Sequence, residues 1–218
     1  MSASFIVLGC HRTRTSMVAH MLNSMGVNMG DELLGAGQFN RWGHWEDVYF
    51  YQLNREILFQ AGGHWAKPPE EHKVLEAAKW MTDEMKQLTA WNNKRYGKWG
   101  FKDPRTILTI RRWELFLPDP HYVITRRPKE DVVNSLERRA EGGGAGSTFD
   151  YTRNDWADLY DDYDSRLREF LEENECPAIG VDTDLFMSRS TAPSECARLA
   201  DFVGGNARAA YEAIRFRD

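Results

Sequence analysis

The sequence predicts an α/β protein in which a mostly parallel sheet is covered by helices on both faces. Short apolar runs rich in strand-forming residues alternate with longer segments whose apolar residues recur at helical spacing. The composition, 42% hydrophobic and 28% charged, is that of an ordinary globular protein. A length of 218 residues without a repeat or a domain-scale linker favours one domain with a sizeable core.

The first strand covers residues 5–8, an apolar run that Gly9 closes. A helix follows at 16–25, because methionine, valine and leucine recur three and four residues apart there until Gly26. The same spacing predicts a second helix over 46–60, which a glycine pair ends. The chain therefore begins as a strand, a short loop and a helix.

The middle of the chain continues this alternation. A proline pair opens a longer helix whose apolar stripe continues to Trp91. A strand at 98–101 and a helix near 107–117 follow. The next buried strand is 122–125, and Pro128 stands where a proline begins a helix.

The last third contains a flexible stretch and three further elements. Residues 141–147 include four glycines and form a mobile lid or a linker. A helix at 156–170, a strand at 178–181 and a helix at 196–203, closed by a glycine pair, complete the prediction. Strands separated by helices favour parallel pairing.

Charge and cysteine content narrow the function. With 28 basic and 33 acidic residues, the net charge of −5 disfavours nucleic-acid and membrane-surface binding, so any anion site needs a local group of cations. The three cysteines, Cys10, Cys176 and Cys196, show no C-x-x-C spacing, which argues against a disulfide framework or a zinc site. The N-terminal apolar run is too short for a signal or membrane segment. We therefore expect a cytoplasmic protein.

The loop at residues 9–16, the phosphate loop below, points to an anion. A buried strand, a loop that opens with Gly9 and a helix direct backbone N–H groups and a helix dipole at a ligand. A nucleoside-triphosphate loop reads G-x-x-x-x-G-K-[ST], but here Arg14 and Thr15 occupy the positions of the second Gly and the Lys. The cation stands earlier instead, at Arg12.

These motifs resemble sulfotransferases that use 3′-phosphoadenosine 5′-phosphosulfate (PAPS). His11-Arg12-Thr13-Arg14-Thr15-Ser16 resembles the 5′-phosphosulfate loop, written H-R-S-G-T-S in many bacterial members. The predicted strand that runs into Arg126-Arg127-Pro128, with Ser135 in the next helix, resembles the 3′-phosphate motif. Residues 40–47, 99–106 and 181–204 resemble further family segments, in the family's order.

The resemblance implies a phosphate-loop nucleoside-triphosphatase-like fold, with residues 1–218 as one sulfotransferase domain. It implies PAPS as sulfate donor, 3′-phosphoadenosine 5′-phosphate (PAP) as product and no required metal. Arg12 would stabilise the leaving phosphate, and Lys102 would lie near the bridging oxygen. The residues expected to bind the donor are His11, Arg12, Thr13, Arg14, Thr15, Ser16, Arg126 and Ser135.

Transfer to a hydroxyl or an amine also needs a base. The resemblance favours Glu46, whose pKa an apolar wall of Trp42 and Trp45 would raise. His44 is the rival, since its intrinsic pKa is better suited, and Asp103 is third.

The chain departs from the family pattern at three places. Arg14 replaces a loop glycine, and a glycine position often has backbone angles that a long side chain resists. Ser135 lies one residue later after the proline than is usual in the family. The family's later R-K-G loop has no clear counterpart, although Arg215 and Arg217 are candidates.

Some of these residues also have structural interpretations, and other functions are alternatives to a sulfotransferase. Glu46 and Asp47 also suit a helix N-terminus, Lys102-Asp103 suits an internal ion pair, and Arg126-Arg127 suits a solvent-exposed pair. A phosphate-loop kinase is an alternative, because residues 178–182 imitate a strand that ends in a metal-binding Asp. A non-catalytic nucleotide-binding protein is another.

The acceptor class and the oligomeric state stay open. Aromatic side chains suit a cleft that holds a small molecule, a glycan or a peptide. We expect Trp42, Trp45, Tyr49 and Trp65 to line that cleft and the later tryptophans to lie in the core.

Overall fold

The computed structural model describes residues 2–37, 40, 43–214 and 216, and within them one parallel four-stranded sheet organises the chain. The strand order is β2-β1-β3-β4, so the first strand lies inside the sheet with a neighbour on each side. Ile6 pairs in register with Phe101 on one side and with Tyr122 on the other. The strands are β1 (Ala3–Leu8), β2 (Lys98–Lys102), β3 (Pro120–Arg126) and β4 (Ala178–Asp182).

Helices connect these strands and follow the last one. A short 3₁₀ turn at Leu185–Met187 precedes the C-terminal helices. The helices are α1 (Thr15–Ser24), α2 (Val48–Gln60), α3 (Glu71–Lys79), α4 (Thr82–Arg95), α5 (Thr106–Trp113), α6 (Lys129–Glu141), α7 (Arg153–Glu173), α8 (Ala192–Val203) and α9 (Ala207–Glu212).

Both faces of the sheet are buried, as the predicted three-layer arrangement requires. Because successive side chains of a strand point to opposite faces, Ile6 and Leu8 belong to one core and Phe5 and Val7 to the other. The first core includes α2 to α7, and the second includes α1, α8 and α9. The prediction of helices on both faces is confirmed.

Two sequence predictions were wrong in this part of the molecule. The long helix expected to reach Trp91 is two helices, α3 and α4, because Met81 leaves the helical conformation and an acidic first turn then starts α4. Trp80, at this break, is 87% exposed, and Trp91 is 55% exposed, so these two later tryptophans do not lie in the core. Trp99, Trp113 and Trp156 do.

The carboxyl ends of β1, β2 and β3 meet at one edge of the sheet, which is where ligands bind in open α/β sheets. The buried Asn54 of α2 anchors that helix there, since its amide donates 3.0 Å hydrogen bonds to Asp103 Oδ2 and Thr106 Oγ1. Within the described part of the chain, no helix is long and apolar enough to span a membrane.

Candidate active site

The phosphate loop turns sharply at the end of β1. Gly9 has no room for a side chain, since a Cβ there would lie 1.9 Å from Thr125 Oγ1. Arg12 and Arg14 have φ values of 71° and 61°, in the left-handed region. Left-handed residues that alternate with ordinary ones aim successive N–H groups at a common point, and α1 adds its unpaired first-turn N–H groups. The backbone thus forms an anion-binding concavity.

Thr13 attaches this loop to the neighbouring strand. Its buried hydroxyl donates to the Cys10 carbonyl over 2.7 Å and lies 2.7 Å from Thr125 Oγ1 on β3. Thr15 is also buried, and it begins α1. A cavity of about 300 Å³ lies beside the loop, between β3 and α7. Its lining includes Cys10, Thr13, Thr125, Arg126 and Tyr163.

The two phosphate motifs of the sequence are in contact. Arg12 Nε donates a 2.9 Å hydrogen bond to Ser135 Oγ, although 123 residues separate them in the chain. Ser135 lies on the buried face of α6, so the extra residue before it has not moved it out of reach of the loop. The two motifs therefore lie next to each other in the fold.

Arg127, the second arginine of the Arg126-Arg127 pair, contacts the loop, although only Arg126 was expected to bind the donor. Its guanidinium donates to the Arg12 carbonyl over 3.1 Å. Burial, and then the charge of Arg14, lower the pKa of Arg127. Arg126 is exposed and lies against Gly180 of β4, where it lines the cavity beside the loop.

Arg14 has glycine-like backbone angles but directs its side chain away from β1. Its guanidinium forms an ion pair with Asp184, after β4, and lies 3.3 Å from Thr183 Oγ1. Where the motif that this loop resembles has a glycine, the chain thus has a left-handed arginine, at an energetic cost of about 1–2 kcal/mol.

Half-buried Ser16 and the buried Lys102 and Glu46 form a chain of contacts next to the loop. Lys102, whose side chain is 1% exposed, lies 2.7 Å from Glu46 Oε1 and 3.2 Å from Ser16 Oγ. Ser16 in turn donates to the His44 carbonyl over 2.8 Å. The loop, the end of β2 and the segment before α2 therefore meet at one ammonium group.

Glu46 does not have the raised pKa that the sequence led us to expect. Burial alone would raise it, but Lys102 and Arg105 outweigh burial and lower the pKa of Glu46. Trp45 does not form the expected wall either, since its ring stacks on His20 with centroids 4.5 Å apart. Trp42 lies outside the described residues.

The two other base candidates differ in their surroundings. His44 is half-buried, and burial lowers its pKa. The negative charge of Glu46 acts in the opposite direction but does not outweigh burial, so the imidazole is neutral at pH 7. Asp103 is buried, and burial raises its pKa, but its oxygens accept hydrogen bonds from Asn54 and Arg105. Asp103 therefore has an anchoring role.

Arg105 is a central cation that sequence reasoning missed. Its guanidinium lies 2.7 Å from Asp103 Oδ1 and 3.8 Å from Glu46 Oε2, and 4.8 Å from the ring centroid of Tyr51. The signal was present in the sequence, because Arg105 follows Lys102-Asp103-Pro104 just after a predicted strand.

His11 points into an aromatic wall rather than to solvent. Its ring lies 4.5 Å from Trp65 and 5.7 Å from Tyr163, between centroids. Its Nε2 is buried and has no hydrogen-bond partner among the described residues. Burial, followed by the charges of Arg105 and Arg139, holds the pKa of His11 well below its usual range. His11 is therefore neutral.

The expected aromatic cleft is divided. Trp65 packs beside the loop on His11, whereas Tyr49 is 50% exposed and lines a groove of about 990 Å³ between α2 and α4. The four aromatic residues named from the sequence thus do not form one wall among the described residues. Arg215 and Arg217, the candidates for the family's last loop, lie outside the described residues.

Structural alternatives hold for some neighbours of the site. Asp47 caps α2, since its Oδ1 accepts from the N–H groups of Tyr49 and Phe50 at 3.0 and 3.3 Å. Asp182, the kinase-like acid, ends the edge strand β4, and β3 separates it from the phosphate-loop strand. In the described part of the chain, no three His, Cys, Asp or Glu residues are grouped to hold a metal ion. Metal independence stays a prediction.

Comparisons with known proteins support the fold through structure alone. No protein family and no curated protein matches this chain by sequence. The chain aligns over 97% of its length with 71% of the sulfotransferase STF1 from Mycobacterium tuberculosis, with a TM-score of 0.58 and 14% identity. It aligns over 100% of its length with 79% of the sulfotransferase domain from the curacin biosynthetic pathway, with a TM-score of 0.60 and 10% identity.

Kinases share this architecture. A sugar kinase from a Janibacter species aligns over 96% of this chain and 98% of its own, with a TM-score of 0.50 and 12% identity. At such identities the likeness establishes the fold and no more. The predicted phosphate-loop α/β class is therefore confirmed.

Proposed function

We propose that this chain is a PAPS-dependent sulfotransferase in which residues 1–218 act as one domain. The observation that carries the proposal is the 2.9 Å hydrogen bond from Arg12 Nε to Ser135 Oγ. A nucleotide with a 5′-phosphosulfate and a 3′-phosphate needs two anion sites close together. The contact brings the two motifs that resemble these sites next to each other.

The residues present fit such a donor. The positive-φ loop and the first turn of α1 offer N–H groups to one phosphate, with Arg12 beside them. Arg127 and Ser135 suit the second phosphate, with Arg126 at the adjoining cavity. Arg127 Nε is buried without a hydrogen-bond partner among the described residues, so an anion there would satisfy a group whose burial is costly.

The donor supplies a sulfuryl group, whose bond to the 5′-phosphate oxygen breaks as an acceptor oxygen or nitrogen bonds to sulfur. Arg12 and the loop N–H groups are aimed at negative charge that develops on the departing phosphate. Lys102 is held at the same edge of the sheet by Glu46 and Ser16, ready to stabilise that charge as well. The acceptor proton passes to a protein base.

For that base, the electrostatics favour His44 over Glu46. Glu46 serves as the counter-ion of Lys102, and its lowered pKa makes it a weak proton acceptor. His44 is neutral at pH 7 and half-exposed, which suits general-base catalysis. The acceptor in this proposal carries a hydroxyl or amine on a small molecule, a glycan or a peptide.

Isothermal titration with PAP, PAPS and Mg-ATP tests the proposal, followed by labelled-sulfate transfer to a panel of hydroxylated compounds, glycans and peptides. We expect PAP to bind without metal, Mg-ATP to bind much more weakly and label to appear on an acceptor. A preference for Mg-ATP would support a kinase and overturn the proposal. PAP binding without transfer to any acceptor, and unaffected by Glu46→Gln plus His44→Ala, would indicate a non-catalytic binding protein.

A further inference from the structure

Arg139 extends the row of site residues along α6. It follows Ser135 by four positions, so both side chains lie on the same face of the helix, one turn apart. One turn is about 5.4 Å. Arg139 therefore stands next to, and not within, the contact between Arg12 and Ser135.

Lys102 and Arg105, two cations of the site, have acidic partners, whereas Arg139 has none among the described residues. Lys102 pairs with Glu46, and Arg105 pairs with Asp103. Among the described residues, no carboxylate forms an ion pair with Arg139, and its Nε is buried without a hydrogen-bond partner. Its guanidinium lies instead 5.7 Å from the ring centroid of Trp65.

The surroundings of Arg139 make an unpaired cation unfavourable. Burial, and then the like charge of Arg105, lower the pKa of Arg139, while the opposing carboxylate, Glu46, is already bound to Lys102. A bound anion would satisfy the buried Nε–H of Arg139 and offset the repulsion between the two guanidinium groups.

We infer that the acceptor is anionic and that its carboxylate, sulfate or phosphate ester binds Arg139 beside Trp65. This inference rests on the proposed function, because it assigns the donor phosphates to the loop, Arg127 and Ser135. Trp65 itself is packed against His11 and Trp156, so the anion and not a stacked ring is the feature that the site recognises. A guanidinium suits an oxyanion, to which it donates paired hydrogen bonds.

Two matched probes test the inference: 4-hydroxyphenylacetate, which is anionic, and its neutral amide. Labelled-sulfate transfer at saturating PAPS gives kcat and KM for each, and titration into the PAP complex gives their affinities if turnover is slow. We expect the wild type to prefer the anion by tenfold or more. In Arg139→Gln, KM for the anion rises at least tenfold while kcat and the constants for the amide stay nearly unchanged. Arg139→Lys recovers part of the preference.

Arg138→Gln is the matched control, because Arg138 is the exposed neighbour on the same helix. It should retain the preference for the anion. Equal affinity of the wild type for both probes, or an equal loss for both in Arg139→Gln, overturns the inference. If either outcome is found but PAP binds the wild type and Arg139→Gln with equal affinity, only the inference fails and the proposed function is retained. If PAP does not bind the wild type, the proposed function itself fails.

Discussion

Lys102 Nζ lies 2.7 Å from Glu46 Oε1 in a pair whose side chains are 1% and 8% exposed. Removing two charges from water is costly, so such a pair persists only where further hydrogen bonds satisfy it. Ser16 supplies one at 3.2 Å, and Arg105 adds a second positive charge 3.8 Å from Glu46 Oε2. The pair therefore fixes a lysine beside the phosphate loop.

Replacing Lys102 by Met should destabilise the fold by about 3–5 kcal/mol, because Glu46 would remain buried without its main partner. The double variant Lys102→Met with Glu46→Gln should recover much of this loss.

The stabilising effect of the pair should also depend on pH. The pKa of Glu46 is lower in the folded protein than in the unfolded chain, where it is about 4.3. The pair therefore stabilises the protein fully above about pH 4.3, and this effect is lost as pH falls through the pKa of Glu46 in the folded protein. Urea unfolding from pH 3 to 7 measures both effects, and equal stability of Lys102→Met and wild type at pH 7 would contradict them.

Arg12→Ala should weaken PAP binding about 10- to 100-fold, which corresponds to the loss of a charged hydrogen bond of about 1.5–3 kcal/mol. Ser135→Ala should weaken it too, and the double variant should lose less than the sum, because the two side chains share one hydrogen bond. Isothermal titration measures this coupling. Ser165→Ala, on the solvent side of α7, is the control and should bind as the wild type does. Strictly additive losses would argue against a shared site.

Arg14→Gly should leave stability within about 1 kcal/mol of the wild type. Relief of the left-handed strain, about 1–2 kcal/mol, is offset by the greater freedom of the unfolded chain and by loss of the partly exposed pair with Asp184. Arg14→Val should be clearly less stable, because a branched side chain disfavours positive φ. Urea unfolding compares the three proteins. PAP affinity retained in Arg14→Gly would show that the Arg14 side chain does not bind phosphate.

The pH dependence of the proposed transfer should distinguish the two base candidates. If His44 accepts the proton, kcat/KM should fall in the acidic range with an apparent pKa below the usual 6.5, because burial lowers the pKa of His44. His44→Ala should lose this acid limb together with about 10²-fold in kcat. Glu46→Gln should keep the limb. The reverse pattern would assign the base to Glu46.

The strands and the phosphate loop were predictable because they depend on local patterns. Residues 5–8 are apolar, Gly9 follows, and helical spacing begins at once, so β1, the loop and α1 could be predicted from neighbours in the chain. The break between α3 and α4 could not, since the apolar stripe continues across it through Ala78, Met81 and Met85. Periodicity shows which face is apolar, but not where the backbone leaves the helix.

Side-chain partners were harder to predict than elements. The motif pointed to Arg126 as the donor-binding arginine, but the arginine that donates to the loop is Arg127. Glu46 was expected to have a raised pKa, yet Lys102 and Arg105 come from another strand end and reverse the effect of burial. Such contacts join residues about 50 to 120 positions apart and depend on the tertiary fold.

The positions of the cysteines allow a label to be attached at the end of the sheet opposite the phosphate loop. Cys10 and Cys196 are buried, whereas Cys176 is partly exposed just before β4, at the amino end of the sheet. The phosphate loop follows β1 at the opposite, carboxyl end. A maleimide fluorophore would therefore react mainly with Cys176, and a nucleotide titration could be followed optically by a label that lies well away from the ligand.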